Sequence, residues 1–351
     1  MKILYGVPGE GMGHATRSRV IIEHLLKQHE VKIVSSNRAF TFLHKLFGDN
    51  VIEINGFHLA YNNSKVSKTK TLSSTLKSAP KNLLFNYKKY AALKDSFVPD
   101  LVISDYESFT FLFAKTNNIP LLSIDNIQIL SRCTLDIKIP SEEKTNYQIA
   151  KTITQAKVPG AFEYFITSFF YPEIKKTPTT LVPPIVRKSI EEAKTEKGSH
   201  ILVYQTSTSQ NNLIGILQEL KNEKFYVYGF NKSEEHGNVI LKPFSETEFI
   251  KDLASAKAVI ANGGFSLLSE CVYLHKPVCS IPIQNQFEQF VNASYIDKLG
   301  YGRHFNEFDP DSIKAFLYDL SYFEKNLESY KQDGNKDLFV RLDQVISKMH
   351  S

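Results

Sequence analysis

The sequence predicts an α/β protein with two doubly wound, Rossmann-like domains that face each other across a cleft. Its 351 residues exceed what a single hydrophobic core usually holds. Short apolar strands alternate with amphipathic helices, and this alternation restarts after a stretch rich in proline and charge at 175–198. Two series of similar size predict a first domain at 1–185 and a second at 186–336.

The first half opens with a βαβ unit. An apolar strand is expected from Lys2 to Val7, and a glycine-rich turn leads from it into a helix from Ala15 to His29. The next strand is expected from Val31 to Ser35. This order predicts a parallel sheet with right-handed crossovers.

Apolar runs and turn residues predict the rest of the first half. An aromatic and aliphatic run from Tyr164 to Tyr171 predicts a single strand, and the prolines that follow it predict a linker at 175–198. The other expected strands are 51–54, 99–105 and 121–124, and the expected helices are 40–47, 109–117 and 142–157.

The second half repeats the pattern. Asp309 is expected to cap a helix that begins at Pro310, because proline is favoured at the first helical position. A last amphipathic helix, 337–351, is expected to pack back on the first domain. The expected strands are 200–204, 225–229, 239–241, 258–261 and 277–283, and helices are expected at 213–221 and 246–255.

The composition bounds the class of protein. Hydrophobic residues make up 42% and charged residues 23% of the chain, as in ordinary globular domains. No apolar run reaches the ~18 residues that span a bilayer, and the N-terminus lacks the features of a signal peptide. The three cysteines form no CxxC pair and are odd in number. They predict reduced thiols in a cytoplasmic protein, without a disulfide framework or a zinc site.

Positive charge is concentrated in the first half. Residues 1–185 hold 23 lysines and arginines against 15 acids, whereas residues 186–351 hold 19 against 22. Residues 62–94 contribute eight lysines and no acid, with leucine and aromatic residues between them. This mixture predicts peripheral contact with an anionic membrane, although a solvated helix that covers the sheet would look the same. Nucleic acid is not an expected partner, because no binding motif accompanies the lysines.

The stretch 262–293 predicts a site for a diphosphate and a sugar. A strand ends in Asn262-Gly263-Gly264 and a helix begins at once. The free N–H groups and the dipole of a helix N-terminus favour a phosphate, and the glycines let a large anion approach the main chain. Glu270, one turn into the helix, offers a carboxylate to ribose hydroxyls. A second strand-to-helix passage carries Glu288 and Gln289, whose polar groups suit a sugar.

The glycine-rich turn 9–14 differs from the dinucleotide fingerprint. His14 takes the place of the third glycine, and Ser35-Ser36-Asn37 stands where an acid is expected, so an NADP oxidoreductase is disfavoured. The helix dipole disfavours an imidazolium, so His14 suits a general base acting on a hydroxyl, with helix capping as the alternative. Asp105 ends a neighbouring strand and is expected to orient His14, and Asp125 is a second candidate for that role.

These motifs resemble those of a known family. The opening Gly9 to Ser18 matches the pattern G-x-G-x-G-H-x-x-R-S of bacterial and archaeal teichoic-acid-biosynthesis-like glycosyltransferases. The second half resembles the nucleotide-sugar signature of two-domain (GT-B) inverting UDP-glycosyltransferases, including the peptidoglycan N-acetylglucosaminyltransferase of family 28. The segments that carry this signature are Asn262 to Glu270, Pro277 to Pro282 and Glu288 to Ala293.

The resemblance implies a role for each matching position. It implies that Glu270 binds the ribose, that the main chain at Gly263 and Gly264 holds the diphosphate, and that the loop at 242–244 meets the uracil. It also implies that His14 is the base. The expected catalytic residues are His14 and Asp105, and the expected donor-binding residues are Gly13, Thr206, Ser207, Phe244, Asn262, Gly263, Gly264, Ser266, Glu270, Glu288 and Gln289.

The sequence departs from the family at three places, one of which is the lack of the usual threonine or serine near Leu267 and Leu268, where Ser266 is the candidate substitute. Asn262 stands where the family has a histidine or arginine that touches a phosphate, which leaves nucleotide preference open. The loop Thr206 to Gln210 replaces a glycine-rich loop, and its hydroxyls are expected to contact phosphate or sugar. Asp309-Pro310-Asp311 resembles a D-x-D metal motif, but its place before a helix favours capping, so neither a metal nor another cofactor is expected.

The sequence favours an inverting glycosyltransferase that moves a sugar from a UDP-sugar to a hydroxyl. The acceptor is expected to be lipid-linked or part of a cell-envelope glycan, which places the protein in the cytoplasm at the inner face of the membrane. Two alternatives stay open: a UDP-sugar 2-epimerase of the same architecture and a non-catalytic protein that binds nucleotide sugars or glycans. The identities of the sugar and the acceptor are not indicated.

Overall fold

The computed structural model describes residues 1–9, 11–56, 61–62, 65–66, 68–205 and 212–349, with side chains described outside 61–80. Within these residues the chain forms two sheets of seven strands each and a two-stranded ribbon. No helix in the described part of the chain has both the length and the apolar character needed to cross a bilayer.

The first half of the chain builds the first sheet and its helices. Its strands are β1 (Lys2–Gly6), β2 (Glu30–Ser35), β3 (Val51–Glu53), β4 (Tyr61–Asn62), β5 (Lys65–Val66), β6 (Leu101–Ser104), β7 (Leu121–Asp125), β8 (Glu163–Thr167) and β9 (Thr180–Val182). Its helices are α1 (Met12–Leu25), α2 (Asn37–Phe47), α3 (Lys68–Ser96), α4 (Ser108–Thr116), α5 (Ile129–Arg132) and α6 (Lys144–Lys157), with short 3₁₀ turns at Gly48–Asn50 and Ser141–Glu143.

The second half builds the second sheet. Its strands are β10 (His200–Tyr204), β11 (Lys224–Tyr228), β12 (Glu234–His236), β13 (Val239–Leu241), β14 (Ala258–Ala261), β15 (Val278–Ser280) and β16 (Gly302–His304). Its helices are α7 (Lys188–Glu191), α8 (Leu213–Gln218), α9 (Glu246–Ser255), α10 (Phe265–Tyr273), α11 (Phe287–Lys298), α12 (Pro310–Tyr318), α13 (Leu320–Leu327) and α14 (Lys336–Lys348).

Both sheets are doubly wound, which confirms the predicted fold class. The first has the parallel order β3-β2-β1-β6-β7-β8-β9. The second has the order β12-β13-β11-β10-β14-β15-β16, and β12 pairs antiparallel with β13. The order changes direction between β1 and β6 in the first sheet and between β10 and β14 in the second. Ligands of such sheets bind outside the carboxyl ends of the strands at this switch point.

Apolar residues cover both faces of the first sheet. In β1, Ile3 and Tyr5 belong to one buried cluster, whereas Leu4 belongs to another. Because successive strand residues point to opposite faces, both faces are buried. This is the reason that the strands are continuous apolar runs without polar alternation.

A third buried cluster contains apolar side chains of both domains. Phe169 stacks on Phe265 with ring centroids 5.9 Å apart, and Phe170 stacks on Tyr295 at 3.7 Å. Truncation of a buried phenylalanine typically costs about 3–5 kcal/mol, so a few such pairs stabilise a domain contact substantially. The two domains therefore share part of their hydrophobic core.

The chain crosses between the domains twice. After α13 it returns, and α14 contributes Leu338, Leu342 and Ile346 to the apolar cluster that contains β1. The buried Asn335 joins the two crossings: its Oδ1 accepts from the N–H of Val186 at 3.0 Å, and its Nδ2 donates to the carbonyl of Val186 at 2.8 Å. The start and the end of the second domain are thus fixed to each other.

The structure corrects several predicted boundaries, among them those of the first helix, which was expected from Ala15 to His29 and runs from Met12 to Leu25, so that it includes His14. The strand expected from Tyr164 to Tyr171 ends at Thr167, because the Ser168 hydroxyl accepts from the N–H of Phe170 and forms a tight turn. The aromatic residues beyond the turn leave the sheet for the shared cluster. Part of the predicted linker is strand β9, which pairs with β8 at the edge of the sheet. Prolines flank β9, and sheet edges tolerate proline because one side of the strand needs no N–H donor.

Candidate active site

The first turns of two helices touch where the domains meet. One is the start of α1, after β1, and the other is the start of α10, after β14. A Cβ atom built on Gly13 would lie 2.6 Å from Ser266 Oγ, so a larger residue at position 13 would require at least the Ser266 hydroxyl to move. Both α1 and α10 begin here, and a helix N-terminus carries free N–H groups and a partial positive charge. The contact brings the two switch points into one cleft.

His14 and Asp105 lie together at the switch point of the first sheet. His14 Nδ1 is 3.0 Å from Asp105 Oδ1, and the exposed fractions of their side chains are 17% and 1%. Asp125 makes different contacts, because its carboxylate accepts from Ser123 Oγ and from the N–H of Gln128, each at 2.8 Å. Asp105 rather than Asp125 is therefore the acidic neighbour of His14.

Arg17 is a functional candidate that the sequence analysis missed. Its Nε donates to Asp105 Oδ2 at 3.0 Å and its Nη2 donates to Asp105 Oδ1, while Ser18 Oγ donates to Oδ2 at 2.9 Å. Burial alone would raise the pKa of Asp105, but Arg17 and His14 outweigh burial and lower it. The carboxylate is therefore ionised at neutral pH. The sequence did contain a signal for this role: Arg17 and Ser18 lie three and four residues after His14, so the three side chains share one face of a helix.

A polar chain crosses the cleft from this cluster. Arg17 Nη1 donates to Asn126 Oδ1, and Asn126 Nδ2 donates to Glu288 Oε1 at 2.7 Å. Asn126 follows β7 in the first domain, whereas Glu288 lies in the first turn of α11 in the second. The predicted sugar-binding glutamate is thus connected to the His14–Asp105 pair through two side chains.

The three residues of the predicted diphosphate loop, 262–264, differ in the space and the contacts around them. A Cβ on Gly263 would lie 2.3 Å from the carbonyl oxygen of Gln289, so glycine is needed here for packing. A Cβ on Gly264 would meet nothing within 4 Å, which leaves space at the N-terminus of α10. Asn262 donates through Nδ2 to the carbonyl of Ile281 at 3.0 Å, which ties its side chain to the neighbouring strand end.

Glu270 is paired with an arginine from the linker. Arg187 Nε and Nη2 donate to the two carboxylate oxygens of Glu270 at 2.6 and 2.7 Å, and Nη1 donates to Glu246 at 3.1 Å. Glu270 is buried, so this bidentate pair fixes its orientation. The sequence analysis missed Arg187 because nothing local to the linker indicates a partner 83 residues away.

The remaining predicted donor residues differ in accessibility. The side chain of Gln289 is engaged within its own loop, accepting from the N–H of Ile283 at 3.0 Å and donating to Gln286 at 2.6 Å. Phe244 is 66% exposed, so its ring is open to a flat ligand. Thr206 and Ser207, like Glu10 of the first loop, lie outside the described residues.

A cavity of about 750 Å³ lies beside these groups, between α1, α7 and α9. Arg187 and Glu246 form part of its wall, together with Thr16 and Arg19 of α1. Pockets of roughly 300–1,000 Å³ are typical for small molecules. The cavity therefore extends the cleft from the Arg187–Glu270 pair along the surface of α9.

The Asp309 motif is a helix cap, as the sequence analysis favoured. Asp309 Oδ1 accepts from the N–H groups of Asp311 and Ser312 at 3.0 and 2.9 Å, and Pro310 begins α12. Across the described ranges, no three histidine, cysteine, aspartate or glutamate side chains are grouped in a way that could hold a metal ion.

Comparisons with a family model and with individual proteins agree that this chain is similar to glycosyltransferases. The model of glycosyl transferase family 1 matches residues 1–321. An uncharacterized glycosyltransferase of Methanosarcina acetivorans is 25% identical over 403 aligned positions, with 100% of both chains covered. UDP-N-acetylglucosamine–N-acetylmuramyl-(pentapeptide) pyrophosphoryl-undecaprenol N-acetylglucosamine transferase 3 of Bacillus cereus is 26% identical over 176 residues. That match covers 44% of this chain and 49% of the relative.

Solved structures share the fold over the whole chain. The calicheamicin glycosyltransferase CalG4 has a TM-score of 0.69 at 16% identity, covering 99% of this chain and 98% of that one. Phytolacca americana UGT2, solved with UDP-2fluoro-glucose and pterostilbene, has a TM-score of 0.66 at 14% identity and 100% coverage of both chains. The architecture is that of GT-B glycosyltransferases.

Replacement of Asp125 should change the pH dependence of stability. Burial raises the pKa of Asp125 to about 6 from an ordinary value near 3.8. Between these values the folded state retains a proton that the unfolded state releases, so this contribution to stability is lost as pH rises. Asp125→Asn has no such proton. Between pH 4 and pH 7 the free energy of unfolding of the wild type should therefore fall by about 2–3 kcal/mol relative to that of Asp125→Asn.

Urea unfolding of both proteins across that range measures the difference. Asp311→Asn, at an exposed position of α12, is the matched control and should show a constant difference from wild type. A constant difference for Asp125→Asn as well would contradict the raised pKa.

Proposed function

The chain belongs to glycosyl transferase family 1, and we propose that it transfers a sugar from a UDP-sugar to an acceptor hydroxyl with inversion at the anomeric carbon. The observation that carries this proposal is the pairing of His14, in the first turn of α1, with an ionised Asp105. That turn contacts the first turn of α10 through Gly13 and Ser266. A base on one wall and an anion site on the other are what the displacement of a diphosphate by a hydroxyl requires.

The donor diphosphate occupies the N-terminus of α10 in this proposal. Gly264 leaves room for it, whereas the hydroxyl of Ser266, in the first turn of the same helix, faces Gly13 of the first domain. The negative charge that develops on the leaving diphosphate meets N–H groups and the positive end of the helix dipole. These fixed dipoles stabilise the charge without reorganisation, so we assign them the role that a metal ion has in other transferases.

Glu270 binds the ribose in this proposal, and Arg187 holds it in place. A carboxylate has about four acceptor positions, and Arg187 uses two of those on Glu270. The remaining lone pairs are available to the ribose hydroxyls. Phe244, whose ring is exposed, meets the base, and Glu288 accepts from hydroxyls of the sugar.

His14 removes the proton of the acceptor hydroxyl as the oxygen attacks the anomeric carbon. The ionised Asp105 stabilises the imidazolium that forms and keeps the ring oriented. Attack comes from the face opposite the diphosphate, so the configuration inverts. The small exposed fraction of His14 limits the access of water to the reacting atoms.

A second part of the proposal concerns the acceptor. The C-terminal half of α3 exposes Leu83, Leu84 and Tyr87 by 72%, 59% and 66%. Lys81 and Lys88, both exposed, lie on the same part of the helix. Apolar side chains that insert among lipid chains, next to lysines that attract anionic headgroups, suit the membrane interface. We therefore propose a lipid-linked acceptor and a peripheral position at the cytoplasmic face of a membrane.

Nucleotide-sugar binding should depend on Glu270. A thermal-shift panel of UDP-glucose, UDP-galactose, UDP-N-acetylglucosamine, dTDP-glucose and GDP-mannose identifies the donor, and calorimetry then gives its Kd. Glu270→Gln should raise Kd at least about tenfold, or ~1.4 kcal/mol, because it removes a charged acceptor of the ribose hydroxyls. Glu246→Gln is the control, because it removes the other carboxylate bound by Arg187 and should leave Kd within about twofold. Equal effects of the two changes would refute the ribose role.

Turnover should depend on His14, whereas donor binding should not. His14→Ala removes the base and should lower kcat by about 10²–10⁴-fold, measured as release of the nucleoside diphosphate with a panel of glycolipid acceptors. His44→Ala, an exposed histidine of α2, is the control and should match wild type. Wild-type turnover by His14→Ala would eliminate the base assignment. Epimer formation from UDP-N-acetylglucosamine alone would instead favour the 2-epimerase, and binding without any turnover would favour a non-catalytic protein.

Membrane binding should depend on the exposed part of α3. Wild type should float with vesicles that contain anionic phospholipid at low salt, and less so at high salt because salt screens the lysines. The double change Leu83→Ser and Leu84→Ser should reduce flotation several-fold by removing apolar insertion, at about 0.8 kcal/mol per CH₂ withdrawn from the lipid. Tyr318→Ser, at an 89% exposed position of the second domain, is the control. Absence of wild-type flotation at low salt would exclude this part of the proposal.

A further inference from the structure

His14 Nδ1 has two neighbours that make opposite demands on it. Arg17 Nη2 lies 2.7 Å away and Asp105 Oδ1 lies 3.0 Å away. A guanidinium only donates hydrogen bonds, and an ionised carboxylate only accepts them. A single ring nitrogen serves one of these partners at a time, because it either carries a proton or presents a lone pair.

The choice between these partners determines whether His14 acts as a base. When Nδ1 carries the proton it donates to Asp105, and the lone pair on Nε2 is free to take a proton from the acceptor. When Nδ1 accepts from Arg17, the neutral ring carries its proton on Nε2, which then has no lone pair to offer. The wrong tautomer in a comparable His–Asp pair costs about 10⁴-fold in kcat.

Arg17 is held where it competes for His14. Its guanidinium is buried, Nε and Nη2 are bound to Asp105, and Nη1 is bound to Asn126. Asn126 is bound in turn to Glu288 of the other domain at 2.7 Å. The position of the guanidinium therefore depends on a contact to the residue that we assign to the donor sugar.

We propose that Arg17 is a positioning residue that keeps His14 in the Nε2–H tautomer while the donor site is empty, and that Asn126 and Glu288 couple this effect to binding of the donor sugar. This inference rests on the proposed function. Sugar hydroxyls donate to Glu288 in place of Asn126, and Asn126 no longer fixes Arg17 Nη1. The guanidinium then pairs with Asp105 alone, and His14 Nδ1–H donates to the same carboxylate. One proton leaves Nε2 for water and one arrives at Nδ1, so the charge of the ring is unchanged.

The resting state is tested without any nucleotide. Long-range ¹H–¹⁵N correlation of histidine-labelled protein distinguishes protonated from unprotonated ring nitrogens, and His14→Gln assigns the signal of His14. Wild type should carry the proton on Nε2. Arg17→Lys keeps the charge beside Asp105 but lacks the planar fork that spans three partners, so its His14 should carry the proton on Nδ1. Arg341→Lys, at an exposed arginine of α14 that the site does not include, should match wild type.

The link to the donor is tested with the nucleotide sugar that gives the largest shift in the thermal panel. At saturation this nucleotide sugar should move the proton of wild-type His14 from Nε2 to Nδ1. The free nucleoside diphosphate lacks the transferable sugar that would reach Glu288, so it should leave the proton on Nε2. Asn126→Ala removes the contact that fixes Arg17 Nη1, so its His14 should carry the proton on Nδ1 before any ligand is added.

Each outcome decides one part. Wild-type His14 that already carries the proton on Nδ1, or an unchanged tautomer in Arg17→Lys, would overturn the role of Arg17. A bound nucleotide sugar that leaves the tautomer unchanged would overturn the link to the donor while leaving the proposed function intact. If no nucleotide sugar binds, the proposed function and the link both fail, and the comparison without nucleotide still decides the role of Arg17.

Discussion

The cleft is arranged around one charge that is shielded from water, the carboxylate of Asp105. An ionised carboxylate at 1% exposure is destabilising by several kcal/mol unless hydrogen bonds and an opposite charge compensate for its lost hydration. Arg17 and Ser18 supply three donors, and His14 lies at the remaining position. These three residues have helical spacing, so one face of α1 satisfies the carboxylate and α1 must lie against the end of β6. The requirement to stabilise this charge therefore positions the base of the proposed reaction.

Much of this arrangement was predictable from the sequence, because it follows from neighbouring elements. His14 follows β1 and Asp105 follows β6, and the carboxyl ends of adjacent parallel strands meet at one edge. The contacts that were missed join distant parts of the chain. Asn126 and Glu288 are 162 residues apart, and Arg187 and Glu270 are 83 apart. Periodicity within a segment carries no information about such pairs, since they depend on how distant segments of the chain pack together.

The misplaced end of β8 has a related cause. An apolar residue is equally suited to a sheet interior and to a contact between domains, so a continuous apolar run does not mark where one ends and the other begins. Phe169 and Phe170 belong to the second environment, and the Ser168 hydroxyl that turns the chain is a local sign of the change. The prolines near β9 misled for the complementary reason, because an edge strand and a linker both accept them.

The return of α14 has a consequence for biosynthesis. Leu338, Leu342 and Ile346 complete the apolar cluster around β1, yet the ribosome makes them after every strand of the second domain. Domains usually become complete in the order in which they are translated. Here the domain that is translated first is finished last, and until then its cluster exposes the groove in which α14 will lie.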